Sequence, residues 1–161
     1  MENITRDGRV KSYREFFKYE TIVLLGLPGS GKSHLAKEIK ATNPKKDLFI
    51  IEDGEYLRCE GMFGKNNVIM VDGNLIDDYF FNAFMRDLSS KKVPFTCYYF
   101  EVDLDKCKKN IMSRTGHYLR TDLALADLKY YSATYNQKVE TIKSSPFLVE
   151  AVQVKVFSTN N

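Results

Sequence analysis

A three-layer α/β sandwich built on a five-stranded, mainly parallel sheet is the fold this sequence predicts. Three observations carry that expectation. Short, continuously apolar runs such as Thr21-Ile22-Val23-Leu24-Leu25 and Val68-Ile69-Met70-Val71 lack the in–out alternation of a half-exposed sheet, so they read as strands buried on both faces. Stretches with helical periodicity separate these runs, giving the β–α alternation of a parallel sheet with helices on both sides. A glycine-rich turn also joins the first such strand directly to the first helix.

The elements follow in order. Residues 1–19 form a charged lead-in, with a short helix expected around 12–18 and Tyr13, Phe16 and Phe17 on one side of it. Strand one is Thr21–Leu25, and helix one runs over residues 32–41 until Asn43-Pro44 breaks it. Residues 47–51 read as strand two, ending at Glu52-Asp53-Gly54. One or two helical turns over 55–60 and a glycine-containing bend lead to strand three, which ends at Asp72-Gly73-Asn74. Ile76, Phe80, Phe84 and Leu88 recur every four residues and place a helix over 76–90. Strand four covers 95–102. Asp103-Leu104-Asp105 caps a helix that runs to about residue 112. Beyond the polar segment 113–120, Thr121 is the expected N-cap of one long helix over 122–143, with Asp122 in its first turn. Ser144-Ser145-Pro146 stops it, and residues 147–157 supply the last strand.

The chain of 161 residues reads as one domain, residues 1–161, without repeats or a Gly/Pro/Ser-rich linker. With 43% hydrophobic and 28% charged residues it has the composition of a soluble globular protein. Its formal net charge of +3 permits an anionic substrate without pointing to nucleic acid. Cys59, Cys97 and Cys107 have no metal-like spacing and are odd in number, which suits reduced thiols, with Cys97 in a buried strand. The polar N-terminus has no apolar leader region and no stretch approaches a membrane span, so a cytoplasmic protein without membrane partners is expected.

Gly26-Leu27-Pro28-Gly29-Ser30-Gly31-Lys32-Ser33 fits G-x-x-x-x-G-K-[ST] at every fixed position, in the strand–loop–helix setting the pattern requires. Glycines let the backbone curl so that successive N–H groups face phosphate oxygens, and the helix that starts there adds its free amides and dipole. The nucleotide-binding set is therefore Gly26, Leu27, Pro28, Gly29, Ser30, Gly31, Lys32, Ser33 and the adjoining His34. Lys32 is expected to reach the β- and γ-phosphates and Ser33 to hold Mg²⁺.

Ligands of open parallel sheets bind beyond the carboxyl ends of the strands. Asp53 and Asp72 each follow a strand directly and are expected on the same edge as the glycine loop. Asp53 is the candidate general base for an attacking hydroxyl, with Glu52 and Glu55 as competitors, and Arg58 can hold an anionic group on the acceptor. Asp72 ends an apolar strand in the Walker B manner and is a candidate for magnesium or for the acceptor, beside Asn74. Arg114 and Arg120 bracket Thr115-Gly116-His117-Tyr118-Leu119, the composition of a closing lid over residues 113–120 that brings guanidinium groups onto the phosphates. His117 reads as a lid residue rather than a catalyst. Lys106, Lys108 and Lys109 read as a solvated basic helix face.

Taken together, the glycine loop, Asp53, Asp72 with Asn74, Tyr99-Phe100-Glu101-Val102, the basic helix and Ser113-Arg114-Thr115-Gly116 give residues 20–157 a sequence that resembles P-loop kinases. The nearest likeness is to the polynucleotide 5′-kinase and zeta-toxin-like branch, which includes viral kinases. That resemblance implies a P-loop NTPase-type fold, ATP or GTP with Mg²⁺, and transfer of the γ-phosphate to a hydroxyl of a nucleic acid or nucleoside. The strand-end aspartate would serve as base and the lid arginines as clamps. Two features depart from that branch. Glu52 stands where it carries an arginine before the aspartate, and Asp53-Gly54-Glu55 is similar instead to the Asp-Gly-Asp of adenylylsulfate kinases. About fifteen residues separate Asp53 from Val68, too few for a full acceptor-enclosing helical insert. A (deoxy)nucleoside monophosphate kinase is the alternative within the same class, and a nucleotide-binding switch acting through a protein partner is the alternative outside it.

Overall fold

The computed structural model describes residues 3–5, 18–114 and 121–158. Five strands run parallel: β2 (Thr21–Leu25), β3 (Phe49–Ile51), β4 (Val68–Met70), β5 (Phe95–Phe100) and β6 (Leu148–Val154). A sixth, β1 (Asn3–Thr5), pairs antiparallel with β6, so the sheet order is β1-β6-β5-β2-β4-β3. The edge strand was not expected from the polar lead-in. Three residues that gain their place only by pairing with β6 have no periodicity of their own. The short helix expected around residues 12–18 falls almost wholly outside the described residues.

Six α-helices join the strands among the described residues: α1 (Lys32–Thr42), α2 (Tyr56–Cys59), α3 (Asp78–Ser90), α4 (Leu104–Ser113), α5 (Thr121–Ser132) and α6 (Tyr135–Lys143). All five residues of β2 are buried, because the strand is covered on both sides. Ile22 and Leu24 meet Ile69, Val71 and Ala36 of α1 in the smaller core. Val23 and Leu25 face the larger core, where Phe81, Phe84 and Leu88 of α3 join Leu128, Tyr135, Val139 and Ile142 of α5 and α6. Three layers result, as the continuous apolar runs require.

Several boundaries differ from expectation for local reasons. Residues 73–76 form a 3₁₀ turn instead of the start of α3. The helix begins at Asp78 because the Asp77 carboxylate accepts the Phe80 N–H and caps it. Asp103 caps α4 as expected, accepting from the Lys106 N–H at 3.1 Å. The expected helix over 122–143 is two helices separated at Ala133-Thr134, and Thr121 lies inside α5 instead of capping it. The break brings the Tyr135 hydroxyl to the Leu25 and Phe100 carbonyls, at 3.0 and 2.7 Å, and the Lys138 ammonium to Asp78 and Thr134. Apolar positions 124, 128, 135, 139 and 142 keep one helical phase, so the periodicity cannot show the break.

β2 lies between β5 and β4, and the chain moves from one side of β2 to the other when it passes from β4 to β5. That is the switch point of an open α/β sheet, where a crevice forms at the carboxyl edge. The loops after β2, β3 and β4 all open onto it.

Candidate phosphate-binding site

The glycine loop leaves β2 and turns back on itself through a Ser30 N–H to Leu27 O bond of 3.1 Å. Gly29 (φ +81) and Gly31 (φ +105) occupy left-handed backbone that side chains rarely adopt. A Cβ on Gly29 would also collide with the Cys107 carbonyl oxygen of α4. Gly31 serves as N-cap of α1 without any side-chain cap, which leaves the first amides of the helix pointing into the crevice.

Lys32 folds back over this loop. Its ammonium donates to Gly26 O at 3.0 Å and Leu27 O at 3.3 Å, and is buried although the residue as a whole is partly exposed. Burial pulls its pKa down to about 8, against the opposing attraction of Asp53. A site that penalises an uncompensated cation in this way suits an incoming polyanion.

Asp53 and Asp72 form a reciprocal clasp between neighbouring strand ends. Asp53 Oδ1 accepts the Gly73 N–H at 2.5 Å, while Asp72 Oδ2 accepts the Gly54 N–H at 3.1 Å. Asp72 Oδ1 accepts a further bond, from Asn74 N–H at 3.0 Å. The Asp72 side chain is buried, and desolvation raises its pKa, partly offset by the amides of Asn74, Tyr56 and Gly54. Asp53 is half-buried, and its Oδ2 makes no hydrogen bond among the described residues.

A cavity of about 510 Å³ lies over the loop. Of the residues singled out in the sequence, it is lined by Pro28, Gly29, Gly31, Lys32, Ser33, His34, Asp53, Asn74 and Arg114. Gly26, Leu27, Ser30 and Asp72 sit behind that lining. Arg58 is not brought to it: the side chain is 77% exposed on α2 and pairs with Glu55 at 3.5 Å. Glu55 is otherwise engaged in accepting the Glu52 N–H. Lys106 pairs with Asp103 at the solvent-facing start of α4. Arg120 and His117, with the rest of segment 115–120, lie outside the described residues.

Ser113 of the expected lid segment also lines the cavity, and three polar or aromatic residues there were not singled out in the sequence: Asn110, Asp127 and Phe157. Asn110 Nδ2 donates to Gly29 O at 2.8 Å and to Phe157 O at 2.6 Å, tying α4 to the glycine loop and to the segment after β6. Phe157 in turn donates its N–H to Ser30 O and packs on the His34 ring at 4.2 Å between centroids. These contacts join residues 47 to 127 positions apart, and no local pattern announces them.

The described residues contain no cluster of three or more His, Cys, Asp or Glu able to hold a metal by themselves, and none of their helices is long and apolar enough to cross a membrane. Cys59, Cys97 and Cys107 are all buried free thiols.

Fold and glycine loop together define the class: an α/β protein with the P-loop kinase fold. The polyphosphate kinase 2 of Arthrobacter aurescens TC1 shares that fold at 14% identity with a TM-score of 0.56, over 91% of this chain and 67% of that one. Kti12 of Chaetomium thermophilum, solved with ADP-AlF3, is similar at 15% identity and TM-score 0.53 over 84% and 89% of the two chains. A gluconokinase from Sinorhizobium meliloti 1021 is similar at 15% identity and TM-score 0.50 over 85% and 82%. No protein-family model and no curated protein matches the sequence.

Proposed function

We propose that the protein is a phosphotransferase that moves the γ-phosphate of ATP or GTP onto a hydroxyl of a nucleoside or nucleic acid. The single observation that carries this reading is the placing of the Lys32 ammonium and the Asp53 carboxylate in one cavity, beside a glycine loop with free helix-end amides. A cradle for phosphate and a carboxylate for an acceptor proton are the two parts that phosphoryl transfer needs from a protein.

In this mechanism the loop amides and Lys32 hold the β- and γ-phosphates, and Arg114 adds charge from the side of α4. The acceptor hydroxyl oxygen bonds to the γ-phosphorus as the bond to the β–γ bridging oxygen breaks. The electron pair leaves on the nucleoside diphosphate and the hydroxyl proton passes to Asp53. The Ser33 hydroxyl would help to hold magnesium, which would supply positive charge against the negative charge that develops on the phosphates. The residues present suit it: the Ser33 hydroxyl lines the cavity and makes no hydrogen bond among the described residues, and magnesium commonly takes only one or two protein ligands. For Asp72 we favour a positioning role over direct ligation, because both of its oxygens already accept backbone N–H bonds.

Transfer of labelled γ-phosphate to a panel of nucleosides, 5′-hydroxyl oligonucleotides and deoxynucleoside monophosphates tests the proposal. Lys32→Ala should abolish transfer, and Asp53→Asn should slow turnover by about 10²–10⁴. ATP binding with no acceptor phosphorylated would instead favour a nucleotide switch.

A further inference from the structure

The cavity carries both signs of charge. Lys32 and Arg114 line it together with the carboxylates Asp53 and Asp127, and Asn74, Val71 and Ile76 belong to the same lining. We propose, building on the phosphotransferase reading, that the acceptor is an uncharged polyhydroxy molecule of the nucleoside or sugar-alcohol kind, and that Asp127 and Asn74 read a second hydroxyl beside the one phosphorylated.

Asp127 reaches the cavity from α5, an element fixed on both sides. Ala124 and Leu128 are buried in the main core, and the Tyr131 hydroxyl, one turn further on, donates to Asp77 at 3.2 Å. A carboxylate on so constrained a helix recognises better than one on a loop. Asp127 is half-buried, lies within electrostatic reach of Tyr131, and forms no hydrogen bond or ion pair among the described residues. The Asn74 side chain is likewise unengaged there, while its backbone is held by Asp72. Two unengaged polar side chains in a partly apolar cavity are groups awaiting partners, since burying them under a ligand without hydrogen bonds is costly. A carboxylate accepts from hydroxyls, and an amide both donates and accepts, so a diol satisfies the pair.

With a triphosphate held on Lys32 and Arg114, the two carboxylates of the lining disfavour a phosphate-bearing acceptor. At about 6 Å and an effective dielectric of about 20, each pair of like unit charges weakens binding on the order of 10²-fold. A phosphomonoester or an oligonucleotide end would meet two carboxylates, Asp53 and Asp127. Specificity of this kind comes from repulsion as much as from attraction. Within the acceptors considered above, the two carboxylates therefore select the nucleoside over the nucleotide and the nucleic acid.

The test uses the full chain with Mg²⁺ and labelled ATP, comparing kcat/KM for nucleosides and sugar alcohols with that for deoxynucleoside monophosphates and 5′-hydroxyl oligonucleotides. Neutral acceptors should be preferred by about 10²-fold or more. Asp127→Asn should raise the acceptor KM about 10-fold with the KM for ATP unchanged, and Asp127→Lys should shift the ratio toward phosphate-bearing acceptors. Calorimetric binding of ATP by each variant checks that it is folded, and Asp127→Asn alone suffices if the lysine variant is not. Preference of the wild type for a phosphate-bearing acceptor, or an unchanged acceptor KM in Asp127→Asn, overturns the inference and leaves the phosphotransferase reading standing. Binding of ATP with no transfer to any acceptor overturns both.

Discussion

Lys32 should take up a proton when a triphosphate binds. In the ligand-free protein its ammonium is desolvated against Gly26 O and Leu27 O and titrates near 8, with burial as the main cause and Asp53 opposing it. A triphosphate beside it restores the charged form, returning the pKa to its ordinary 10.5 or above. At pH 8 about half of the free protein lacks that proton, so binding should take up about 0.5 proton per site, falling below about 0.1 at pH 7. Calorimetric titration with magnesium-ATP in two buffers of different ionisation enthalpy measures this directly. Lys32→Arg, whose guanidinium stays protonated, should remove the uptake. The stability consequence has a definite sign. The folded-state pKa is depressed, so between pH 8 and 10.5 the unfolded chain binds more protons, and this residue's contribution to stability rises with pH through that window, by up to about 3 kcal/mol. Lys32→Met should flatten that part of the stability profile. If wild type and Lys32→Arg show the same proton uptake at pH 8, the ammonium is not desolvated in the free protein and the reasoning fails.

Two further substitutions probe the elements that hold the site. Asp72→Asn sets an amide NH₂ against a backbone N–H and should cost about 1–3 kcal/mol of stability while slowing turnover through Gly54 and Asp53, with ATP affinity nearly unchanged. Chemical denaturation and ATP titration check it together, and intact stability with a large loss of magnesium-dependent ATP binding would make Asp72 a metal ligand instead. Tyr135→Phe leaves the Leu25 and Phe100 carbonyls buried without their donor, and should lower stability by about 1–3 kcal/mol. A melting temperature within a degree of wild type would show that the hydroxyl does not hold α6 to the sheet.

Much of the architecture was legible because it rests on local chemistry. Continuous apolar runs flanked by turn residues read as strands with both faces covered, which β2 and β4 are, and the five expected strands run parallel. The glycine loop was legible for the same reason, since its shape depends on φ values and close contacts that only glycine tolerates, as at Gly29. That Asp53 and Asp72 share the loop's edge followed from strand-end position alone. Their exchange of bonds with Gly73 and Gly54 did not, because register between β3 and β4 sets it.

By itself, the sequence determined the strand–loop–helix unit, the parallel sheet and the shared edge of the glycine loop and Asp53, since each depends on residues adjacent in the chain. Only the tertiary structure decided the antiparallel edge strand, the break between α5 and α6, the outward placing of Arg58, and the recruitment of Asn110, Asp127 and Phe157 to the cavity. Those features are fixed by packing and by hydrogen bonds between distant segments, whose energies depend on where the helices settle against the sheet, and nothing in the neighbouring residues encodes them.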